Sequence, residues 1–232
     1  MNAFAPMLVA MTIASTAGAQ VLWNEGVSGD ASGNPSAPSN AGVVVAGSNL
    51  FMGSVTNSGG ADQRDYITFV VPAGVEITQL ILNTLSPNNL VWTHFDDGPT
   101  SVIPGAGTAA SLLAGAHIEA ATPDGTDLFP NYQAGSPDLL AGPGFSGPIA
   151  PGTYTFLMQQ ASPVLTTYSL NFVASSICVG DFNRDGEVDG DDLGTLLGSW
   201  GDCPGCEADF NSDDMVDGDD LGGLLGFWGP CS

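Results

Sequence analysis

Apolar residues follow two different rhythms along this chain. Between residues 20 and 173 the rhythm has a period of two. Tyr66-Ile-Thr-Phe-Val-Val and Glu76-Ile-Thr-Gln-Leu-Ile-Leu are rich in β-branched and large apolar residues, and Pro72-Ala-Gly between them is a turn signal. Tyr154, Phe156 and Met158 alternate with smaller or polar neighbours, as do Tyr168, Leu170 and Phe172. This alternation predicts strands with one buried face. The last two strands are expected to form a hairpin closed by Gln160-Ala-Ser-Pro-Val. Weaker strands are expected near 42–46, 49–55, 90–95 and 116–121, and the Pro- and Gly-rich stretch 122–150 reads as a long surface loop. Many short strands divided by Gly/Pro turns predict a mainly β chain, a β-sandwich or jelly roll, and about 150 residues suffice for a full core.

Past residue 178 the rhythm becomes helical. Leu193, Leu196, Leu197 and Trp200 fall at i, i+3, i+4 and i+7, and Leu221, Leu224, Leu225 and Trp228 repeat the pattern. Asp189 and Asp217 are placed to N-cap these helices, and Gly201 and Gly229 to stop them. The bulk of each apolar face is expected to pack on the other as core. Gly194 and Gly198 lower helix propensity and would permit close helix approach.

The same acidic loop precedes each helix. In the first, Asp181, Asn183 and Asp185 offer side-chain oxygens at loop positions 1, 3 and 5, and Gly186 allows the turn at 6. Glu187 would ligate through its backbone carbonyl at 7, Asp189 directly or through water at 9, and Asp192 closes the set at 12. The second loop repeats this with Asp209, Asn211, Asp213, the carbonyl of Met215, Asp217 and Asp220. This is the oxygen spacing of an EF-hand-type calcium loop, and it predicts two Ca2+ ions. Two departures stand out. Position 12 is Asp rather than Glu, and Asp214 replaces glycine at position 6 of the second loop, which makes that site the weaker one. Val188 and Val216, at position 8, are expected to point inward and to make a short β contact between the loops. Without metal the acids of each loop repel one another, so the segment is expected to be largely unfolded in the apo state.

Charge adds to this picture. The chain has 232 residues, 25 Asp and Glu against only Arg64 and Arg184, and a formal net charge of −23. Such a surface excludes nucleic acid and anionic membrane as partners. Phe4 to Ile13 forms a short apolar run followed by Ala17-Gly18-Ala19, a small-x-small cleavage signature. Residues 1–19 therefore read as a secretory signal, although a basic n-region is missing. The expected organisation is a signal peptide at 1–19, a β domain at 20–173, a short linker at 174–177 and a calcium-binding unit at 178–232. The protein is expected at the cell exterior, with no membrane insertion.

All four cysteines lie in the C-terminal unit, and Cys203 and Cys231 share the spacing of the loops. Four cysteines allow three pairings. If a pseudo-twofold axis relates the repeats, the proximity of Cys203 to Cys206 implies proximity of Cys178 to Cys231, which favours Cys178–Cys231 with Cys203–Cys206. The rivals are one bridge within each repeat, or zinc at Cys-Pro-Gly-Cys.

In the β domain the densest polar-aromatic cluster is Trp92-Thr-His94-Phe-Asp96-Asp97-Gly98. His94 and Asp96 would serve as an acid–base pair and Trp92 as a sugar-stacking platform. The opposing reading, a strand end with a packed Trp and a solvated turn, is preferred because no partner set is visible. Glu25, Glu76 and Glu119 are scattered, without the paired spacing a glycosidase needs. No catalytic residue is assigned.

Two resemblances follow from these residues. Asp65-Tyr66-Ile-Thr-Phe-Val-Val-Pro-Ala-Gly, with Pro151-Gly-Thr-Tyr-Thr-Phe and Tyr168-Ser-Leu-Asn-Phe, resembles the bacterial pre-peptidase C-terminal domains, which implies a secreted β-sandwich accessory. The tandem loop–helix repeats of 178–231 resemble a type I dockerin domain. That resemblance implies attachment to a cohesin-like or other extracellular scaffold protein, with loop positions 10 and 11 and the helices as contacts. Here those positions are Gly190-Asp191 and Gly218-Asp219, without the family's Ser/Thr pair. The resulting expectation is a secreted, non-catalytic modular protein that attaches through its calcium-binding dockerin-like unit, its β-sandwich serving carbohydrate binding or surface structure. The alternative is a polysaccharide-degrading component, a glycoside hydrolase with its activity in the β domain.

Overall fold

The structure, a computed structural model, describes residues 18–58, 63–102, 111–183, 185–211 and 213–231. The expected signal segment lies outside these apart from Gly18 and Ala19. In chain order the elements are β1 (Gln20–Asn24), α1 (Glu25–Ser28), β2 (Ser39–Val43), β3 (Gly47–Val55), β4 (Arg64–Val71), β5 (Val75–Ser86), β6 (Val91–Asp97), β7 (Leu112–Ile118), the 3-10 turn Phe129–Tyr132, β8 (Gly152–Gln160) and β9 (Thr166–Ser176). There follow β10 (Glu187–Val188), α2 (Gly190–Gly198), β11 (Gly201–Asp202), β12 (Met215–Val216), α3 (Gly218–Gly226) and β13 (Gly229–Pro230). The chain is mainly β.

Two open sheets build the first region. One runs β1-β3-β9-β5 and the other β2-β4-β8-β6-β7. All pairings are antiparallel except β1 with β3 and β2 with β4, which are parallel. The alternation in β4 sends Ile67, Phe69 and Val71 into the core, and that in β9 sends Tyr168, Leu170 and Phe172 to meet them. Phe172 is the hub. Its ring lies 4.6 Å from Phe51 in its own sheet, and 5.5, 5.4 and 6.1 Å from Phe69, Phe156 and Phe95 in the facing sheet. Rings in such tilted and edge-on contacts add to the gain from burial alone.

Two expectations are corrected. First, β8 and β9 are not a hairpin. Gln160 to Leu165 carries the chain from one sheet to the other, so β8 pairs with β4 and β6 while β9 pairs with β3 and β5. Both strands show alternation because they bury opposite walls of one core. Secondly, 122–150 is not a loose surface loop. It buries Leu128, Phe129, Tyr132 and Ile149. It bridges the edge strands of both sheets, through Ile149 to Ile77 and Asp127 to Ile81 in β5, and through Ala141 to Gly115 in β7. One open side of the sandwich is thereby covered, and an unpaired strand edge is the feature that most needs cover.

The expected linker 174–177 is also shorter. Ala174 to Ser176 complete β9, and the Ile177 N–H donates to the Gly74 carbonyl at 2.8 Å. Hydrogen bonding carries the sandwich to within one residue of Cys178. Beyond it lies a separate, small core of Val188, Leu196, Ala208, Val216 and Leu224. Disulfides join Cys178 to Cys231 and Cys203 to Cys206. All four cysteines are therefore paired, which removes the zinc alternative and the bridge within each repeat.

Candidate functional site

The two acidic loops fold in the same way. Asp181 accepts the amides of Asp185 and Gly186 at 3.1 and 2.9 Å, and the Asn183 side-chain oxygen accepts Asp185 N–H at 2.9 Å. Asp209 accepts Asp213 and Asp214 at 3.2 and 2.9 Å, and Asn211 accepts Asp213 at 2.9 Å. Asp185 and Asp213 accept the amides of Glu187 and Met215, each at 3.0 Å. These bonds fix the turn through positions 1, 3 and 5 in both loops. Glu187 and Met215, at position 7, open β10 and β12, and their side chains are exposed.

Positions 9 and 12 are bound into the helices. Asp189 and Asp217 are the N-caps of α2 and α3, each accepting the N–H two residues on at 2.9 Å. Asp192 and Asp220 return the bond to the cap residue's own N–H, at 2.9 and 2.8 Å, completing a capping box. Their other oxygen accepts Phe182 N–H at 2.7 Å and Phe210 N–H at 2.8 Å. Asp192 and Asp220 are buried. Burial alone raises the Asp192 carboxyl, but amide bonds from Asp189, Asn183 and Phe182 outweigh it and hold it below the usual carboxylate range. For Asp220 the amide bond from Asp217 is the largest effect and lowers it, with help from Phe210 and Asn211. Both are ionised acceptors at neutral pH.

At position 6, Gly186 has φ 95° and Asp214 φ 69°, and Asp214 is the only non-glycine with positive φ among the described residues. Val188 and Val216 point inward and are fully buried. They do not pair with each other, however. β10 pairs with β13, and β12 pairs with β11. Each loop is thus clasped by the segment that follows the other repeat's helix. At position 2, Phe182 and Phe210 stack at 6.0 Å with only 12° between their planes.

The helix faces divide in a way their spacing does not reveal. Leu196 and Leu224 are fully buried and Leu193 and Leu221 partly so, but Leu197 (50 %), Trp200 (51 %), Leu225 (54 %) and Trp228 (48 %) stay half in solvent. The expectation that these faces are mostly core holds only for their first two leucines. A Cβ at Gly194 or Gly198 would meet no atom within 4 Å, and it is at Gly223 that a Cβ would come within 3.0 Å of a ring, that of Phe210.

In the β domain the cluster on β6 is a closed polar network. The Trp92 indole N–H donates to His94 Nδ1 at 3.2 Å, which puts the ring proton on Nε2. Nε2 faces Asp96 Oδ2 at 3.0 Å and Ser101 Oγ at 2.9 Å. Ser101 donates its own proton to Asp96 Oδ2, and Ser111 donates to Oδ1 at 3.2 Å. Burial raises the Asp96 carboxyl, but hydrogen bonds from His94, Ser101 and Ser111 together bring it below its ordinary value. Although Ser, His and Asp meet here, no imidazole nitrogen is available to take the serine proton. His94 and Asp96 are both buried, and the Trp92 ring lies on the Gly115 backbone, where a Cβ would come within 2.7 Å of it. The network pins the strand to its flanking turns, and the turn expected at Asp97-Gly98 follows it, with Asp97 exposed and Gly98 at φ 89°.

A cluster of three carboxyls does exist where sequence spacing showed none. Glu25 of α1, Asp30 and Asp65 of β4 bring oxygens within 4.8 Å of one another. Tyr168 donates to Asp65 at 2.7 Å, and Ser54 donates to Glu25 through N–H at 2.8 Å and through its hydroxyl at 3.1 Å. Burial pushes Glu25 up despite these bonds. Asp65 is fully buried. The separation of Glu25 and Asp65 by forty positions in sequence hides this contact from any reading of local sequence. Among the described residues no helix is long and apolar enough to cross a membrane.

No protein-family model matches the sequence, and no curated protein matches it. Among solved structures, the chain is similar to the pre-peptidase C-terminal domain of a collagenase from Bacillus anthracis, at 16 % identity and TM-score 0.27, over 59 % of this chain and 93 % of that one. It is also similar to PliG of Aeromonas hydrophila, a periplasmic inhibitor of g-type lysozyme, at 18 % identity and TM-score 0.27, over 59 % of this chain and 95 % of that one.

Proposed function

We propose that this is a secreted, non-catalytic modular protein whose C-terminal dockerin-like unit binds two calcium ions and attaches the chain to an extracellular scaffold protein of cohesin type. The observation that carries the proposal is the duplicated unit itself: an oxygen-lined loop leading into a capped helix that leaves a Leu–Trp pair half exposed, twice. The donor set suits a hard divalent cation. Asp181, Asn183, Asp185 and Asp192, with Asp209, Asn211, Asp213 and Asp220, offer only oxygen, and the cysteines nearby are consumed in disulfides. Asp189 and Asp217 already cap helices through one oxygen, which suits the water-mediated role of position 9. When bound, calcium would neutralise each loop and hold its turn. Two disulfides favour an oxidising, extracellular setting. The half-exposed Leu197, Trp200, Leu225 and Trp228 supply the apolar contacts that a protein partner would cover.

The test is calorimetric titration of the calcium-stripped full chain, followed by capture on immobilised cohesin-type modules with and without EDTA. The expected result is two calcium ions per chain and EDTA-sensitive capture. A titration without binding heat or conformational response rejects the calcium reading. Calcium binding with no capture rejects the cohesin-type partner.

A further inference from the structure

The clasping of each loop by the opposite repeat has a functional consequence. Trp200 ends the first apolar stripe and is followed directly by β11, which pairs with β12 in the second loop: Gly201 faces Val216 and Asp202 faces Met215. One residue on, the Cys203 N–H donates at 2.9 Å to the carbonyl of Asp214, position 6 of that same loop. Trp228 stands in the mirrored place. Gly229 and Pro230 pair with Val188 and Glu187 of the first loop, and the Cys231 N–H donates at 2.9 Å to the carbonyl of Gly186, position 6 of the first loop. Each disulfide reinforces this crossing, since Cys203 and Cys231 are both bridged immediately after their bonded strands.

Two paths therefore reach each exposed tryptophan. From Trp200 back to its own loop the path runs through all nine residues of α2, three of them glycines, which loosen a helix. From Trp200 to the second loop the path is a single peptide bond into a hydrogen-bonded strand. The short path ends on the residues at positions 6 to 8, where an EF-hand-type loop turns about its ion and ligates through the position-7 carbonyl.

We propose that calcium control of the two Leu–Trp stripes is crossed, so that the second loop sets Trp200 and the first loop sets Trp228. This rests on the calcium reading above and adds to it a regulatory wiring. A chain with one loop filled presents one ordered stripe, the stripe belonging to the empty loop's repeat. Because the second loop carries the strained Asp214, the first loop fills first, and the Trp228 stripe is ordered at the lower calcium level.

The test uses the full chain carrying 5-fluorotryptophan, whose four indole resonances are assigned with W200F and W228F. D181N/D185N disables the first loop and D209N/D213N the second, while amide side chains keep the loops' acceptor oxygens. The expected result is that D181N/D185N abolishes the calcium-induced shift of Trp228 and retains that of Trp200, and that D209N/D213N does the reverse. Amide exchange read on the same samples should show Cys231 losing protection in the first variant and Cys203 in the second. Unchanged Trp23 and Trp92 resonances report an intact sandwich. If each variant silences its own repeat's tryptophan, or both tryptophans together, the crossed wiring is wrong. Wild-type protein that binds calcium calorimetrically without moving either resonance also overturns it. Absence of calcium heat overturns the calcium reading, and the wiring with it.

Discussion

The sandwich and the C-terminal unit are held together by different physics. The sandwich buries a continuous core in which a ring from β9 touches three rings of the facing sheet. Its hydrogen-bond ladders are long, eight or nine residues in several pairs. Among the described residues the C-terminal unit buries five apolar side chains, pairs its strands two residues at a time and, in sequence, concentrates 14 acids against Arg184 in residues 178–232. Burial of so few groups cannot offset the ordering of such a segment, at roughly 1–2 kcal/mol per residue for the backbone alone. The deficit must be met by disulfides, capping boxes and, on our proposal, two ions. One chain thus contains a region stable by composition and a region that relies on cross-links, caps and, on our proposal, bound ions.

The largest effect that would break this contrast is metal removal. Chelation of the full chain is expected to collapse the amide dispersion of residues 178–231 in a 1H–15N spectrum while the strand resonances of the sandwich persist. A spectrum in which both regions change together would show that they form one cooperative unit. Next in size is Phe172→Ala, expected to cost the sandwich about 3–5 kcal/mol and the C-terminal unit nothing, read as separate transitions in calcium-saturated denaturant melts. The disulfides come third. Cys178–Cys231 closes a loop with a sequence separation of 53, and Cys203–Cys206 one of 3. Loop entropy therefore predicts losses of about 4 and about 2 kcal/mol when each is replaced by serines. Equal losses would mean that the bridges act by holding the clasped strands rather than by restricting the unfolded chain.

The same contrast explains what could be read in the sequence. The strands at Tyr66, Glu76, Tyr154 and Tyr168 were legible because alternation reports a buried face directly. Their partners were not, since alternation is identical for a hairpin and for two strands on opposite walls of a core, as with β8 and β9. The covering role of 122–150 escaped because Leu128, Phe129, Tyr132 and Ile149 carry no period, being pinned by edge contacts rather than by a regular element. In the C-terminal unit, the N-caps and the cysteine pairing were legible because duplication repeats each signal. The crossed strand pairing was not, because Val188 and Val216 would be buried in either arrangement. The split of each Leu/Trp face into core and exposed halves was hidden for a related reason: the unit is too small to bury a whole face.

The finest contrast lies inside the duplicated unit, between Gly186 and Asp214. A side chain at position 186 would meet no atom within 4 Å, so any cost of a Cβ there is the cost of the left-handed backbone and not of crowding. That cost is on the order of 1 kcal/mol for an ordinary residue, and less for Asp. Asp214→Gly is therefore expected to tighten the second loop's calcium affinity by at most about 5-fold, the equivalent of about 1 kcal/mol. Gly186→Asp should weaken the first loop by a similar factor. The aspartate also brings a charge, which would favour the ion and oppose the strain, so Asp214→Asn separates the two: it keeps a residue that tolerates the left-handed region and drops the charge. If strain governs, Asn behaves like Asp and only Gly improves binding in a calcium titration. If charge governs, both Gly and Asn weaken it, and the two loops differ for an electrostatic reason rather than a conformational one.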